Sequence, residues 1–405
     1  MPFSDENTDY LIIGGGMVGL SIAFQIKEKY PNSKIIVVDK EEYLGKHSSG
    51  RNSGVLHAGI YYEPESLKAK VCIKGAKRLI EFCRNEKLDI MKCGKVISPQ
   101  TRELDKQIDF LYKRGLRNGA EVRIIDKDEF KDRVPDGYTA SGRALWSPNT
   151  SVVTPKKIIE RLKNILESKG VIFFFNKEIR NINCSDNKIE FSEKLLIQYK
   201  FLINSSGIQS DKVAHKFGIG LNFKIMPFKG IYWKLAKSCP LEFKTNLYPV
   251  PDLNLPFLGI HVTPDLQGNI NLGPTAIPAF GRENYENLQN FEPLMSINFL
   301  GELLNQWIQN KGGFRKYSTE QLLHGLKPFF LNSAKLLIPN LKDEHLVKSD
   351  KVGIRAQLFD INKKELVNDF KVKYCENSVH ILNAISPAFT ASFEFADLIL
   401  EKIKI

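Results

Sequence analysis

Hydrophobic positions recur along this chain in two rhythms, one of strands and one of helices. Near the N-terminus the unbroken run Tyr10-Leu11-Ile12-Ile13 has the length and composition of a strand buried on both faces. It feeds Gly14-x-Gly16-x-x-Gly19 and then residues 20–26, apolar at helical spacing, so the order is strand, tight turn, helix. A second run, residues 34–38, reads as a strand ending in Asp39. Residues 66–84 carry Leu67, Val71, Ala76, Leu79, Ile80 and Cys83 on one helical face, and residues 101–118 read as a charged helix. Between them, residues 93–98 form a strand, and residues 146–153 look like a segment crossing between domains. Thr154 followed by Pro155 signals an N-cap with proline at N1, predicting a helix over 156–168.

Further on, residues 171–175, 189–191 and 195–197 read as strands, and residues 201–204 as a separate strand running into Ser205-Ser206-Gly207. Residues 223–273 alternate in strand fashion, with strands at 231–235, 248–250, 258–262 and 270–272 separated by turns at 251–252 and 267–269. Helices are expected at 292–310 and 318–330. Residues 352–357 are expected to return the chain to its first domain, and a last strand at 379–383 leads into a helix from Thr390 to about Lys402. No internal repeat or low-complexity tract interrupts this order.

Composition narrows the picture only at its edges. With 405 residues, 42% hydrophobic and 26% charged, the chain has material for two or three cores of globular type. A net charge of +12 raises nucleic acid or an anionic membrane surface as partners. The lysines are scattered, however, which argues against nucleic acid and leaves peripheral contact with anionic lipid open. Six cysteines with no CxxC pairing suit free buried thiols, with no zinc site or disulfide framework. Residues 1–8 are polar and acidic, unlike a secretory signal, and no apolar run reaches the about 18 residues of a membrane span. The expected location is cytoplasmic, with peripheral attachment to the inner face of a membrane as the alternative.

The chemistry concentrates on the glycine turn. Gly14 permits the turn, Gly16 admits a pyrophosphate close to the backbone, and Gly19 lets helix and strand pack closely. The helix N-terminus offers free N–H groups and partial positive charge to phosphate. Asp39 lies about 20 residues after the last glycine, where an acid meets a ribose 2′-hydroxyl. The loop His47-Ser48-Ser49-Gly50-Arg51-Asn52-Ser53-Gly54 supplies many small donors, and with Lys40, Ser206 and Gly207 it completes a candidate dinucleotide site. The segment around Pro387, Ala388 and Thr390 aims another helix N-terminus at the same region.

These stretches, together with the Arg51-Asn52-Ser53-Gly54…His57-Ala58-Gly59-Ile60-Tyr61-Tyr62 segment, resemble the FAD-dependent oxidoreductases of the D-amino-acid oxidase superfamily. Within it the L-2-hydroxyglutarate oxidase/dehydrogenase family is similar in Ser66-Leu67-Lys68-Ala69, Cys93-Gly94-Lys95, residues 248–252 and 255–261, Gly273-Pro274, residues 353–357 and residues 383–392. Asp39 stands where glutamate is commoner, and Ser205-Ser206 where smaller or thiol residues are usual. The resemblance implies an α/β protein with a Rossmann-like FAD-binding domain in three pieces (1–95, 151–222, 351–405). Between these pieces lies a substrate domain (96–150, 223–350) with a mixed antiparallel sheet.

It also implies FAD as cofactor, no metal, and hydride transfer from C2 of an L-2-hydroxy dicarboxylate to flavin N5, with the electron acceptor, quinone or oxygen, left open. In that chemistry His57 is the candidate base, expected near its ordinary pKa, and Arg355 the candidate clamp for the C1 carboxylate. His261 and Tyr248 would offer polar tips to the substrate, and Arg51, Lys229 or Arg282 would meet its second carboxylate. The alternatives are an amine oxidase of glycine or sarcosine type, a glycerol 3-phosphate dehydrogenase, or a non-catalytic nucleotide-binding protein.

Overall fold

The computed structural model describes residues 4–251, 258–287, 289–310 and 313–403. The first apolar run ends strand Ser4–Ile13, which pairs in parallel with Leu195–Asn204 on one side and Ile35–Val38 on the other. Ile172–Phe174 and Ser378–Asn383 extend this parallel sheet, and antiparallel neighbours bring it to eight strands. Strand alternation explains its double burial: Tyr10 and Ile12 face one core, Leu11 and Ile13 the other. All four side chains of Ile35–Val38 are buried, each contributing about 1.5–3 kcal/mol, which is why no polar residue interrupts the run.

Helices Met17–Lys29, Leu67–Asn85, Pro155–Ser168 and Ala388–Leu400 cover the first face. Two of them cross closely at Gly75, where an added Cβ would stand 2.6 Å from the Ala391 Cα. The helix after Thr154 forms with Pro155 at its start, but the Thr154 side chain makes no capping hydrogen bond.

Two expected strands prove to be one. Leu195–Asn204 runs unbroken because Gln198 and Lys200 alternate outward while Ile197 and Tyr199 point in. The helix expected over 318–330 is two, Phe314–Leu323 and Lys327–Ala334, with Pro328 in the first turn of the second. The C-terminal helix begins at Ala388, ahead of Thr390.

The second sheet has ten strands. Its spine is the antiparallel pair Phe223–Leu235 and Leu346–Asp360, which runs from Phe223 opposite Asp360 to Leu235 opposite Leu346 with one shift of register between Ile231 and Trp233. Residues 352–357 therefore sit in the second sheet and do not return the chain to the first, because a strand paired along its whole length cannot leave its sheet midway. The boundary expected at 351 falls inside that strand, and the one at 95 falls at the start of Lys95–Ser98, which pairs in parallel with Asn246–Pro249. That single parallel pairing makes the sheet mixed. Ser151–Val153 leaves it for a small third sheet with Val55–Leu56 and Ile90–Met91. Residues 252 and 255–257, part of the resemblance, lie outside the described residues.

Cys72, Cys83 and Cys93 are buried and free, whereas Cys184 is exposed and Cys239 and Cys375 are partly so, a correction to the expectation of six buried thiols.

Candidate active site

The C-terminal ends of the first sheet's strands and one face of the second sheet enclose a cavity of about 1200 Å³. Its first half is built on the glycine turn. Gly14 has φ +99°, and a Cβ there would stand 2.6 Å from the Ser205 carbonyl oxygen. A Cβ on Gly19 would fall 2.3 Å from the Gly14 oxygen, so this glycine sets the helix against its strand and does not itself line the cavity. Helix Met17–Lys29 starts without an acidic residue in its first turn, and Ser49 Oγ accepts the Met17 N–H at 2.9 Å. Asp39 accepts from Gly15 N at 2.8 Å and from Glu41 N at 3.0 Å, which fixes its carboxylate at the end of the second strand. Burial raises the Asp39 pKa, opposed by those same two N–H groups.

Gly14, Gly16, Asp39, Lys40, Ser48, Ser49, Arg51, Asn52, Ser53, Ser206, Gly207, Pro387, Ala388 and Thr390 all line the cavity. Several of their side chains are spoken for. Lys40 pairs with Glu41 and Glu283, Ser48 donates to Ile354 O at 2.9 Å, and Asn52 donates to Ser49 O at 2.7 Å and accepts from Gly54 N at 2.8 Å. These residues shape the wall, leaving the backbone and the remaining N–H groups of the helix N-terminus as the anion-binding part. A dinucleotide fits this half: the glycines leave room for a pyrophosphate, the helix terminus carries the complementary charge, and Asp39 closes the far end.

The second half faces the second sheet. Tyr248 and His261 stand on neighbouring antiparallel strands with rings stacked at 3.9 Å and 19°. His261 Nδ1 lies 2.9 Å from Gly259 O, so Nδ1 carries the proton and Nε2 is the acceptor. Arg355, on Leu346–Asp360, donates to Thr275 O at 3.1 Å, and burial lowers its pKa. His57 follows the short strand Val55–Leu56. Its backbone N–H donates to Thr390 Oγ1 at 3.2 Å, its Nε2 stands 3.2 Å from Ser386 Oγ, and its buried Nδ1 has no hydrogen-bond partner among the described residues.

Burial first, then Lys95, His261 and Lys68, push the His57 pKa well below its ordinary value. The expectation of an unperturbed histidine is thereby corrected: an imidazole walled by rings and facing two ammonium groups is held neutral. His261 is lowered to about 3, again chiefly by burial.

Of the three cations expected to meet a second carboxylate, two do not line the cavity and the third is tied to its wall. Arg282 forms a buried pair with Asp211 at 2.5 and 2.8 Å and does not line the cavity. Lys229 donates to Asn284 Oδ1 at 2.9 Å, also away from it. Arg51 lines the cavity, but its guanidinium donates to Lys46 O at 2.8 Å and lies 4.1 Å from the centre of the Tyr285 ring. The wall holds residues that the expectations left without a role: Tyr61, Tyr62, Lys68, Tyr232 and Ser386. Tyr61, Tyr62 and Lys68 fall within stretches that carried the resemblance, and the signal separating them from packing is their polar tips in apolar register.

The chain matches the family of FAD-dependent oxidoreductases over residues 9–401. It is 36% identical over 404 residues to the L-2-hydroxyglutarate dehydrogenase of Indibacter alkaliphilus, covering 96% of this chain and 97% of that one. The Escherichia coli L-2-hydroxyglutarate dehydrogenase is 30% identical over 406 residues, covering 98% and 93%. Among solved structures, the FAD-bound L-α-glycerophosphate oxidase of Mycoplasma pneumoniae superposes with a TM-score of 0.76 at 22% identity, covering 98% and 94%, a likeness of fold. With the glycine turn, the cavity and this full-length similarity in hand, the chain belongs to the FAD-dependent oxidoreductase family.

Proposed function

We propose that this enzyme oxidises L-2-hydroxyglutarate to 2-oxoglutarate. The observation that carries the reading is one cavity in which a dinucleotide-binding half meets a basic, histidine-containing half, in a chain similar along nearly its whole length to L-2-hydroxyglutarate dehydrogenases. Gly14, Gly16, Asp39, Ser49 and the two helix N-termini would hold FAD, which when bound supplies the two-electron acceptor for a hydride from C2.

The chain's own residues do the rest. Arg355 holds the C1 carboxylate through its planar guanidinium and fixes the C2–H direction. His57, neutral in its buried setting, accepts the hydroxyl proton as the carbonyl forms. His261 Nε2 and the Tyr248 hydroxyl border the place where that carbonyl develops. The ring walls of Tyr61, Tyr62, Tyr232 and Tyr248 exclude water and strengthen each charge inside.

The amine and glycerol 3-phosphate readings rest on neighbours that share the fold over nearly the whole chain but at 15% and 22% identity, against 30–36% for the L-2-hydroxyglutarate dehydrogenases, and a non-catalytic role leaves the neutral His57 and Arg355 of the cavity wall without purpose. The test is anaerobic mixing of the flavin-loaded protein with L-2-hydroxyglutarate, with the D-isomer and glycine alongside. Bleaching of the oxidised flavin by the L-isomer alone is expected; bleaching by glycine, or by none of the three, would overturn the reading.

Electrons then leave for an acceptor of the quinone class dissolved in lipid, which the enzyme reaches from the membrane surface. The support is helix Pro293–Gln309, whose Leu294, Ile297, Leu304 and Ile308 are 79%, 67%, 57% and 60% exposed along one stripe.

A further inference from the structure

A five-carbon dicarboxylate needs a second cation besides Arg355, and Arg51, Lys229 and Arg282 are each engaged elsewhere. Lys68 is not. It is the second residue of helix Leu67–Asn85, and its side chain lines the cavity. Asp369, the carboxylate whose charge acts on Lys68, also lines the cavity, but it is held on the helix backbone, accepting from Leu67 N at 2.8 Å and Lys68 N at 3.1 Å. No hydrogen bond or ion pair engages Lys68 Nζ among the described residues, and it stands 5.8 Å from the centre of the Tyr62 ring. Tyr62 and His57 both meet Ser386, so the ammonium belongs to the same wall as the candidate base.

Burial, opposed by the charge of Asp369, brings the Lys68 pKa down to about 8. A desolvated ammonium that no carboxylate pairs directly is costly unless a ligand supplies the partner. Arg114 also lines the cavity but donates to Tyr61 O at 3.1 Å and to Glu63 at 2.6 Å; Lys95, 4.3 Å from the centre of the Tyr248 ring, and Lys351, 5.3 Å from that of Tyr232, do not line it.

The geometry points to Lys68 as the partner of the substrate's distal carboxylate, so that a dicarboxylate is held between Arg355 and Lys68 across His57. The inference rests on the 2-hydroxy dicarboxylate reading above and names the residue that selects a dicarboxylate over a monocarboxylate.

The experiment compares flavin reduction by L-2-hydroxyglutarate and by L-2-hydroxybutyrate in the wild-type holoenzyme, Lys68→Met and Lys68→Arg. Glutarate binding is followed in parallel by the shift of the oxidised flavin spectrum. In Lys68→Met the ratio of kcat/KM for dicarboxylate over monocarboxylate is expected to fall roughly tenfold to a hundredfold, the loss of one charge-assisted hydrogen bond. Glutarate binding should weaken by the same factor, and Lys68→Arg should restore most of both. A wild-type ratio and wild-type glutarate binding in a flavin-loaded Lys68→Met would overturn the assignment while leaving the reaction intact. A wild-type enzyme that L-2-hydroxyglutarate does not reduce would overturn both.

Discussion

In the proposed role of base, His57 has to be neutral to accept a proton, yet basic enough to keep it while the hydride leaves. Its surroundings secure the first condition. The groups facing it are Lys95, Lys68, His261, the rings of Tyr61 and Tyr62, Cys72, which donates to the His57 carbonyl, Ser386 and Thr390. None is anionic, so nothing offsets the burial that lowers its pKa. Protonation removes the base, so activity governed by His57 is lost only as pH falls through a value well below 6.5. The rate of flavin reduction by L-2-hydroxyglutarate is therefore expected to be flat from about pH 6.5 to neutrality. His57→Asn should lower that rate roughly a hundredfold to ten-thousandfold at every pH. Stopped-flow reduction of both proteins between mildly acidic and neutral pH decides the matter. An acid limb near the ordinary histidine pKa that persists in His57→Asn would assign the titration to another group.

At the scale of elements, local rhythm was legible and partnership was not. The strand–turn–helix at residues 10–26 could be read because each piece is determined by its own residues, down to the separate job of Gly19. Replacing Gly19 with alanine puts a Cβ 2.3 Å from the Gly14 oxygen and 2.6 Å from Ser205 Oγ, and both lie on structural atoms of the turn. Overpacking of that kind costs about 1–3 kcal/mol and pushes the helix N-terminus away from its strand. Gly19→Ala is accordingly expected to purify with much less flavin and to melt at lower temperature. Full flavin content with an unchanged melting temperature would show that the turn tolerates the extra carbon.

Elements whose role depends on distant partners were harder to read. The strand bearing Arg355 belongs to the second sheet because Phe223–Leu235, more than a hundred residues earlier in the chain, pairs along its length. Lys68 is a case between the two. It precedes the buried Val71 and Cys72 by three and four residues, so its inward register was written in the helix period, but only the fold shows that Asp369 caps the helix instead of pairing with it.

The whole molecule presents a surface that neither catalysis nor folding explains. Helix Pro293–Gln309 buries only Ser296 and Phe299 and turns its leucine and isoleucine stripe outward, while Phe314–Leu323 beside it buries no residue at all. Leu322, Leu326, Phe329 and Leu336 continue the exposed apolar area. Arg315 stacks 4.6 Å from the centre of the Trp307 ring at the end of the stripe, a basic and aromatic pairing suited to a lipid headgroup layer. None of the described helices is long and apolar enough to cross a membrane, so contact through these helices would be with the interface.

A chain of net charge +12 adds electrostatic attraction to an anionic bilayer, of order 1 kcal/mol for each basic group near the surface. The holoenzyme is thus expected to co-sediment with vesicles containing phosphatidylglycerol, less with pure phosphatidylcholine, and less again at high salt. The double substitution Ile297→Glu and Leu304→Glu should reduce vesicle binding at least roughly tenfold, since burial of two large aliphatic side chains is lost and two like charges face the lipid. Neither residue lines the cavity, so flavin reduction in solution should be retained. If the double variant instead converts a dimer to a monomer, with vesicle binding absent in the wild type, the stripe is a contact between two copies of the chain and the lipid reading falls.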